Sequence, residues 1–136
     1  MLKVSLVIHE DVVLSAVAGV IDMLEGVNKL RSLSGHPPAF KLELVSEKVK
    51  NVQLDVPAQF LCYTTMAETA RTDLIIVPSY KPDYRAVLKK NLATVDWIAR
   101  MHEAGTEVAS LCIGSFFFGG SRPAQWKGSN FTLDGD

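Results

Sequence analysis

The stretch Ser110-Leu111-Cys112-Ile113-Gly114 has the residue types of a nucleophile elbow, in which small residues flank a reactive side chain. Small flanking residues let a strand turn abruptly into a helix, which exposes the central side chain in a strained conformation. A cysteine at such a helix amino terminus has a lowered pKa, because the amide dipoles stabilise the thiolate. The pattern leaves two interpretations of Cys112 open, a reactive thiol and a buried inert one. Its position directly after an apolar strand favours the elbow.

Cysteine catalysis needs a histidine to move the proton and usually an acid to orient it, and the histidines are His9, His36 and His102. His36 lies in a Gly-His-Pro-Pro turn, and His102 lies in the last turn of a predicted helix, where we expect a structural role. His9 and Glu10 follow the first predicted strand, so they could reach a site at its carboxyl end. The alternative for both residues is an ordinary solvated loop.

Four apolar segments are predicted to be the core strands, and they are residues 3–8, 40–45, 72–80 and 106–112. Strands that alternate with helices indicate an α/β fold with right-handed crossovers and a doubly wound parallel sheet. The site of such a sheet lies at the carboxyl ends of its strands. Ile8–Glu10, Pro78–Tyr80 and Cys112–Ser115 are therefore predicted to surround one crevice.

Helical periodicity predicts how the strands are connected. Asp11 is expected to cap the first helix. Pro82 is expected to begin a second, single helix with one apolar stripe made of Tyr84, Leu88, Leu92, Val95 and Ile98. Residues 52–63 are a weaker extended region, interrupted by a proline, that we interpret as a hairpin or edge excursion. Cys62 in this region is expected to be an inert strand residue.

Composition restricts the class of protein. The 136 residues are 48% hydrophobic with a net charge of −1, which indicates one domain and no bias toward nucleic acid or anionic membrane. The chain lacks the run of about 20 apolar residues that a membrane-spanning helix needs, and its amino terminus does not resemble a signal peptide, so a cytoplasmic protein is expected. Cys62 and Cys112 have neither disulfide-framework nor zinc-site spacing. No metal or cofactor is expected.

Three motifs resemble those of the ThiJ/PfpI superfamily, which has a class-I glutamine-amidotransferase-like fold. They are the "AGVIDML" helix of residues 18–24, the "VPSY" strand end of residues 77–80 and the "CIGSF" elbow of residues 112–116. More narrowly, they resemble the branch that forms the amino-terminal domain of AraC-family transcriptional regulators. The resemblance covers residues 3 to about 118 and implies a flavodoxin-like sheet with helices on both faces.

The resemblance implies a domain that binds an unknown small-molecule effector and forms a homodimer, without itself contacting nucleic acid or membrane. The candidate ligand-binding residues are Ser79, Tyr80, Ile113, Gly114 and Ser115, beside the candidate thiol. The effector itself cannot be identified from the sequence.

Three departures from the superfamily pattern disfavour catalysis. One is that Ser79-Tyr80 replaces the Gly-Gly pair beside the elbow, which can lend backbone amides to an oxyanion. The other two concern a histidine and an aspartate. The peptidases of the superfamily carry histidine where this chain has Ile113, and hydratase-like relatives carry aspartate where it has Ala16. The alternative function is a cysteine-dependent hydrolase or hydratase that uses Cys112 with Glu10 or His9.

The pattern of the superfamily is lost from about Phe118, and residues 119–136 form an irregular tail. If the codons are shifted by one base, they permit a family-like continuation that begins Leu-Ala-Glu-Ala-Gly-Leu-Leu. The run from Phe116 to Phe118 implies a thymine tract in which a base is easily gained. We therefore expect a truncated sensor domain, residues 1–118, with an out-of-frame tail that sequencing of the source DNA would reveal. A further interpretation is a non-functional fragment that folds only as an oligomer.

Overall fold

The computed structural model of the protein describes residues 1–81 and 83–111. This part of the chain folds as a parallel sheet with helices on both faces. In chain order its elements are β1 (Leu2–Val7), α1 (Leu14–Leu33), β2 (Phe40–Ser46), β3 (Asn51–Gln53), β4 (Gln59–Leu61), β5 (Thr64–Thr65), β6 (Leu74–Val77), α2 (Tyr84–Lys90), α3 (Leu92–Glu103) and β7 (Glu107–Ser110). No helix among the described residues is long and apolar enough to cross a membrane.

The main sheet has the strand order β5-β2-β1-β6-β7, and every adjacent pair of its strands is parallel. The chain adds β2 on one side of β1 and then adds β6 on the other side. The strand order therefore reverses between β1 and β6, and the helices that follow these two strands pack on opposite faces of the sheet. Such a switch point is where open α/β sheets bind ligands. The predicted flavodoxin-like doubly wound fold is confirmed.

Each face of the sheet carries its own apolar core, because alternate side chains of the strands point to opposite faces. The core beneath α1 and the β3–β4 hairpin is built around Val4, Leu6, Ile8, Val17, Val20 and Leu24. The core beneath α2 and α3 is built around Val7, Val45, Ile75, Val77, Val95 and Ile98. Strands of the sheet centre are thus covered on both sides, as their β-branched composition predicts.

Helix α1 begins without the side-chain cap that was expected. Its N-cap position is Val13, which has extended backbone angles and makes no side-chain capping hydrogen bond. The carboxylate of Asp11 pairs instead with the Lys90 ammonium at 2.8 Å. The prediction of an Asp11 cap was wrong, because the nearby cation of another element offers the carboxylate a charged partner.

Residues 52–63 contain the predicted hairpin. Strands β3 and β4 pair antiparallel, with Val52 opposite Phe60, and Asp55 in their connection forms an ion pair with Lys81. Cys62 follows β4 and is fully buried in the core beneath α1. Burial raises the pKa of Cys62 to about 11, so its thiol stays protonated at neutral pH.

The single helix predicted after Pro82 is two helices, and that prediction was wrong. Asn91 separates α2 from α3 with non-helical backbone angles, φ −119° and ψ 27°. Its side-chain Nδ2 donates to the Val87 carbonyl at 2.8 Å, a local bond of the kind that competes with helix propagation. The break leaves Leu92, predicted to be part of the apolar stripe, 59% exposed. Pro82 itself lies outside the described residues.

We expect two substitutions to differ in their effect on stability, one on the buried face of α3 and one at its exposed first residue. Ile98→Ala should lower the free energy of unfolding by about 2–5 kcal/mol, because Ile98 is fully buried and truncation leaves a cavity. Leu92→Ala should cost about 0.5 kcal/mol or less, since most of its side chain already contacts water. Urea unfolding followed by circular dichroism measures both. Equal losses would show that α2 and α3 form one continuous stripe after all.

Candidate functional site

Two loops meet at the carboxyl edge of the sheet, one after β1 and one after β6. The Val13 amide donates to the Ser79 carbonyl and the Lys81 amide donates to the Asp11 carbonyl, each at 2.9 Å. Val12 and Tyr80 form the antiparallel bridge between these two bonds. The structure thus brings together the predicted segments Ile8–Glu10 and Pro78–Tyr80, although they are about seventy residues apart in the sequence.

His9 lies inside this junction and is only 7% exposed, so the alternative of a solvated loop is wrong for this residue. Its Nδ1 accepts the Asp11 amide proton at 3.3 Å. Burial lowers the pKa of His9 to about 4, against the raising effect of the Asp11 and Glu10 carboxylates and with the added lowering effect of Lys90. The imidazole is therefore neutral at pH 7, and the accepting Nδ1 assigns its proton to Nε2.

Tyr80 packs beside His9 and is almost completely buried. Its ring meets the rings of His9 and Tyr84 edge-to-face, with centroid separations of 5.9 Å in both cases. Burial raises the pKa of Tyr80, with a further contribution from Tyr84, so the phenol remains protonated. The crevice wall at this point is uncharged and aromatic.

Glu10 stays at the surface, where it shares one cation with its neighbour. The Lys90 ammonium lies 2.7 Å from the Glu10 carboxylate and 2.8 Å from that of Asp11. These two hydrogen bonds raise the pKa of Lys90 above its ordinary value. Lys90 ends α2, so the ion pairs connect that helix to the loop after β1. A Glu10 carboxylate held in this way is engaged before any substrate arrives.

Ser79 connects the crevice to β7. Its hydroxyl donates to the Leu111 carbonyl at 3.1 Å, and the Leu111 amide donates to the Val77 carbonyl at 2.9 Å. The chain therefore approaches the predicted elbow beside Ser79. The other predicted site residues, Cys112, Ile113, Gly114 and Ser115, lie outside the described residues, as does the predicted tail.

The two remaining histidines lie away from the crevice. His36 is exposed after α1 and precedes β2, while His102 is in the last turn of α3 and precedes β7. Both positions are at the amino edge of the parallel sheet, opposite the edge that carries His9. The Nδ1 of His102 lies 3.2 Å from the Thr106 carbonyl oxygen, which agrees with the expected structural role.

A cavity of about 370 Å³ opens on the β2 side of His9. Besides Ile8 and His9, its wall includes Ser46, Glu47, Asn91 and Thr94. Sequence reasoning missed these four residues, because they come from the end of β2 and from the start of α3 and share no motif. Among the described residues, no three His, Cys, Asp or Glu side chains are grouped so as to hold a metal ion.

Comparison with solved structures places this fold among those of the DJ-1, ThiJ and PfpI proteins. The chain is similar to a proposed transcriptional regulator protein from Vibrio parahaemolyticus (TM-score 0.69, 16% identity, 85% of this chain and 59% of that one). It is similar to a DJ-1 superfamily protein from Salmonella typhimurium (TM-score 0.68, 17% identity, 88% of this chain and 60% of that one). It is also similar to an AraC family transcriptional regulator from Pseudomonas putida (TM-score 0.59, 22% identity, 100% of this chain and 78% of that one).

The resemblance expected from the three sequence motifs is confirmed, since these structures share the fold of the chain. Identities this low establish the fold alone. The chain spans about three fifths of the length of the first two structures. No family model and no curated protein matches the sequence.

The buried His9 predicts a specific acid sensitivity. The unfolded chain takes up a proton at His9 below pH 6.5, whereas the folded chain resists this until about pH 4. Stability from neutral His9 is therefore present above pH 6.5 and is lost as the pH falls toward 4, by about 3 kcal/mol in total. Urea unfolding measures the free energy of unfolding at pH 7 and at pH 4. The decrease between these two pH values should be larger in the unchanged protein than in His9→Gln, by about that amount.

The matched control for this experiment is His36→Gln, because His36 is exposed. Its pH profile should run parallel to that of the unchanged protein. A His9→Gln profile that is also parallel would contradict the burial of a neutral imidazole.

Proposed function

We propose that this chain is the small-molecule-sensing domain of an AraC-type transcriptional regulator, acting in the cytoplasm without contacting nucleic acid itself. The observation that carries the proposal is the locked junction between the loops after β1 and β6. It holds the neutral His9 and the protonated Tyr80 at the switch point of the sheet. A rigid junction with uncharged polar side chains at a switch point suits an effector that binds and leaves unchanged.

Two of the structural neighbours support a regulatory context. One is described as an AraC family transcriptional regulator and another as a proposed transcriptional regulator protein. The similarity to both proteins is in the fold alone. That a sensing role accompanies this fold is our proposal. The effector-binding residues in this proposal are Ser79 and Tyr80, together with the predicted elbow residues Cys112, Ile113, Gly114 and Ser115.

The alternative function is a cysteine-dependent hydrolase or hydratase that uses Cys112. This alternative needs His9 or Glu10 to take the proton from the thiol. A histidine whose pKa is about 4 is a weak base at neutral pH, and the Glu10 carboxylate is paired with Lys90. Both features favour binding over turnover.

Alkylation of Cys112 distinguishes sensing from catalysis. With Cys62 replaced by Ala, we expect the rate of reaction with iodoacetamide to rise with pH around the value of an ordinary cysteine, about 8.5. An activated nucleophile would react at a nearly constant rate down to pH 6. A metabolite library should also contain a compound that slows alkylation and shifts the NMR resonances of Ser79 and Tyr80. The sensing proposal fails if no compound does so.

Helix α1 supports the further proposal that the domain is a homodimer. Its exposed flank carries Met23, Val27 and Leu30, which recur at helical spacing beside the buried face of Val20 and Leu24. Gly26 lies within this row and has open space around it. If α1 of a second copy crossed this helix antiparallel near Gly26, the exposed row of each copy would pack against the same row of the other. A two-fold interface has this arrangement.

Negative charges introduced on this face should separate the copies. We expect the double substitution Met23→Glu and Leu30→Glu to convert a dimer into a monomer in light scattering, because a carboxylate buried against its own copy is strongly unfavourable. Lys29→Glu is the matched control, since Lys29 is exposed on the same helix but outside the row. A double variant that keeps the mass of a dimer would show that the copies meet elsewhere.

A further inference from the structure

The cavity on the β2 side of His9 is lined by neither Ser79 nor Tyr80. It lies between the loop after β2, the hairpin strand β3 and the start of α3. Its volume of about 370 Å³ falls within the range of small-molecule sites, roughly 300–1,000 Å³. The space is sufficient for a small organic molecule rather than for a single ion.

Four buried polar side chains from three parts of the chain converge on this cavity. His9, Ser46, Asn91 and Thr94 each line it, although each is less than a tenth exposed. Ser46 is satisfied by the Val49 carbonyl. The wall is thus polar but contains no buried charge, because His9 is neutral.

Two of these side chains keep hydrogen-bonding capacity. Asn91 uses its Nδ2 on the Val87 carbonyl, and its Oδ1 accepts no bond from any described residue. Thr94 is 1% exposed, and its hydroxyl has no hydrogen bond to any described residue either. Both residues line the open cavity, where a molecule that enters it can satisfy these polar groups. A ligand that carries hydroxyl groups would satisfy both, since a hydroxyl donates and accepts.

The charged side chains that line the cavity are Glu47, Lys48 and Glu10, all at its mouth. Glu47 lines it with a side chain that is 33% exposed, while the neighbouring Lys48 side chain is 84% exposed and only loosely paired with it at 3.8 Å. The second carboxylate at the mouth, Glu10, is already paired with Lys90. A cation on the ligand would therefore meet Glu47, and the uncharged interior would receive the uncharged part of the molecule.

We propose that this cavity binds a small hydroxylated amine, with its ammonium at Glu47 and its hydroxyl groups between Asn91, Thr94 and His9. This inference rests on the proposed function, that the domain binds small molecules, and it assigns a second position and a ligand class to that function. Binding here would contact the loop after β1 and the break between α2 and α3 simultaneously. The loop after β1 also forms the junction with Tyr80.

Three molecules with the same three-carbon skeleton test the ligand class. Serinol (2-amino-1,3-propanediol) carries an ammonium, glycerol is uncharged, and glycerate carries a carboxylate. In titrations of ¹⁵N-labelled protein, serinol should produce saturating shifts at Glu47, Asn91 and Thr94, with a Kd about fivefold lower than that of glycerol. Glycerate should bind more weakly than glycerol, because Glu47 repels it.

Variants assign each part of the molecule to its contact. Glu47→Gln should bring the Kd of serinol to that of glycerol, whereas the control Glu25→Gln, on the exposed face of α1, should leave both unchanged. Thr94→Val should weaken serinol and glycerol by about fivefold each, and Thr94→Ser should restore most of this loss. Circular dichroism confirms that each variant is folded.

The proposal is overturned if glycerate binds as tightly as serinol, if Glu47→Gln leaves the Kd of serinol unchanged, or if none of the three compounds saturates shifts at these residues. The broader sensing function is judged separately, by resonance shifts at Ser79 and Tyr80 and by protection of Cys112. If the test of the cavity fails, the test of the sensing function can therefore still be interpreted, and the reverse also holds.

Discussion

The short antiparallel bridge between the loops after β1 and β6 is the constraint on which the carboxyl edge of the sheet depends. Its two main-chain hydrogen bonds, from Val13 to Ser79 and from Lys81 to Asp11, need no particular side chains. They close the sheet at the point where its strand order reverses and bury His9 against Tyr80. Because backbone groups form the bridge, side chains at this edge can change while the geometry of the crevice is kept.

Electrostatics at this edge follow from that burial. A buried imidazole stays neutral unless a carboxylate compensates it, and the two nearby carboxylates are bound by Lys90 at the surface. Lys90 thereby opposes the effect of these carboxylates, which raise the pKa of His9. The same cation ties the end of α2 to the loop after β1, so the charge state of the crevice and the position of the helix are coupled.

Local patterns predicted the main strands and the hairpin, since β1, β2, β6 and β7 are apolar segments bounded by turns. They failed at residues whose hydrogen bonds or ion pairs depend on the folded structure. Asp11 has the residue type of a helix cap, but it pairs with Lys90, which is 79 residues away in the sequence. Asn91 interrupts a stripe that Leu92 would continue. The cavity residues Ser46 and Thr94 could not be found, because only the sheet order brings their elements together.

The central position of β1 has a consequence for biosynthesis. β1 is made first, and pairing with β2 through the nearby α1 covers one of its edges early. Its other edge waits for β6, which follows the whole hairpin region in the chain. During that interval a strand rich in valine and leucine presents unpaired amides and carbonyls to other chains. Nascent chains of this protein should therefore depend on chaperones most strongly before residue Val77 has emerged from the ribosome.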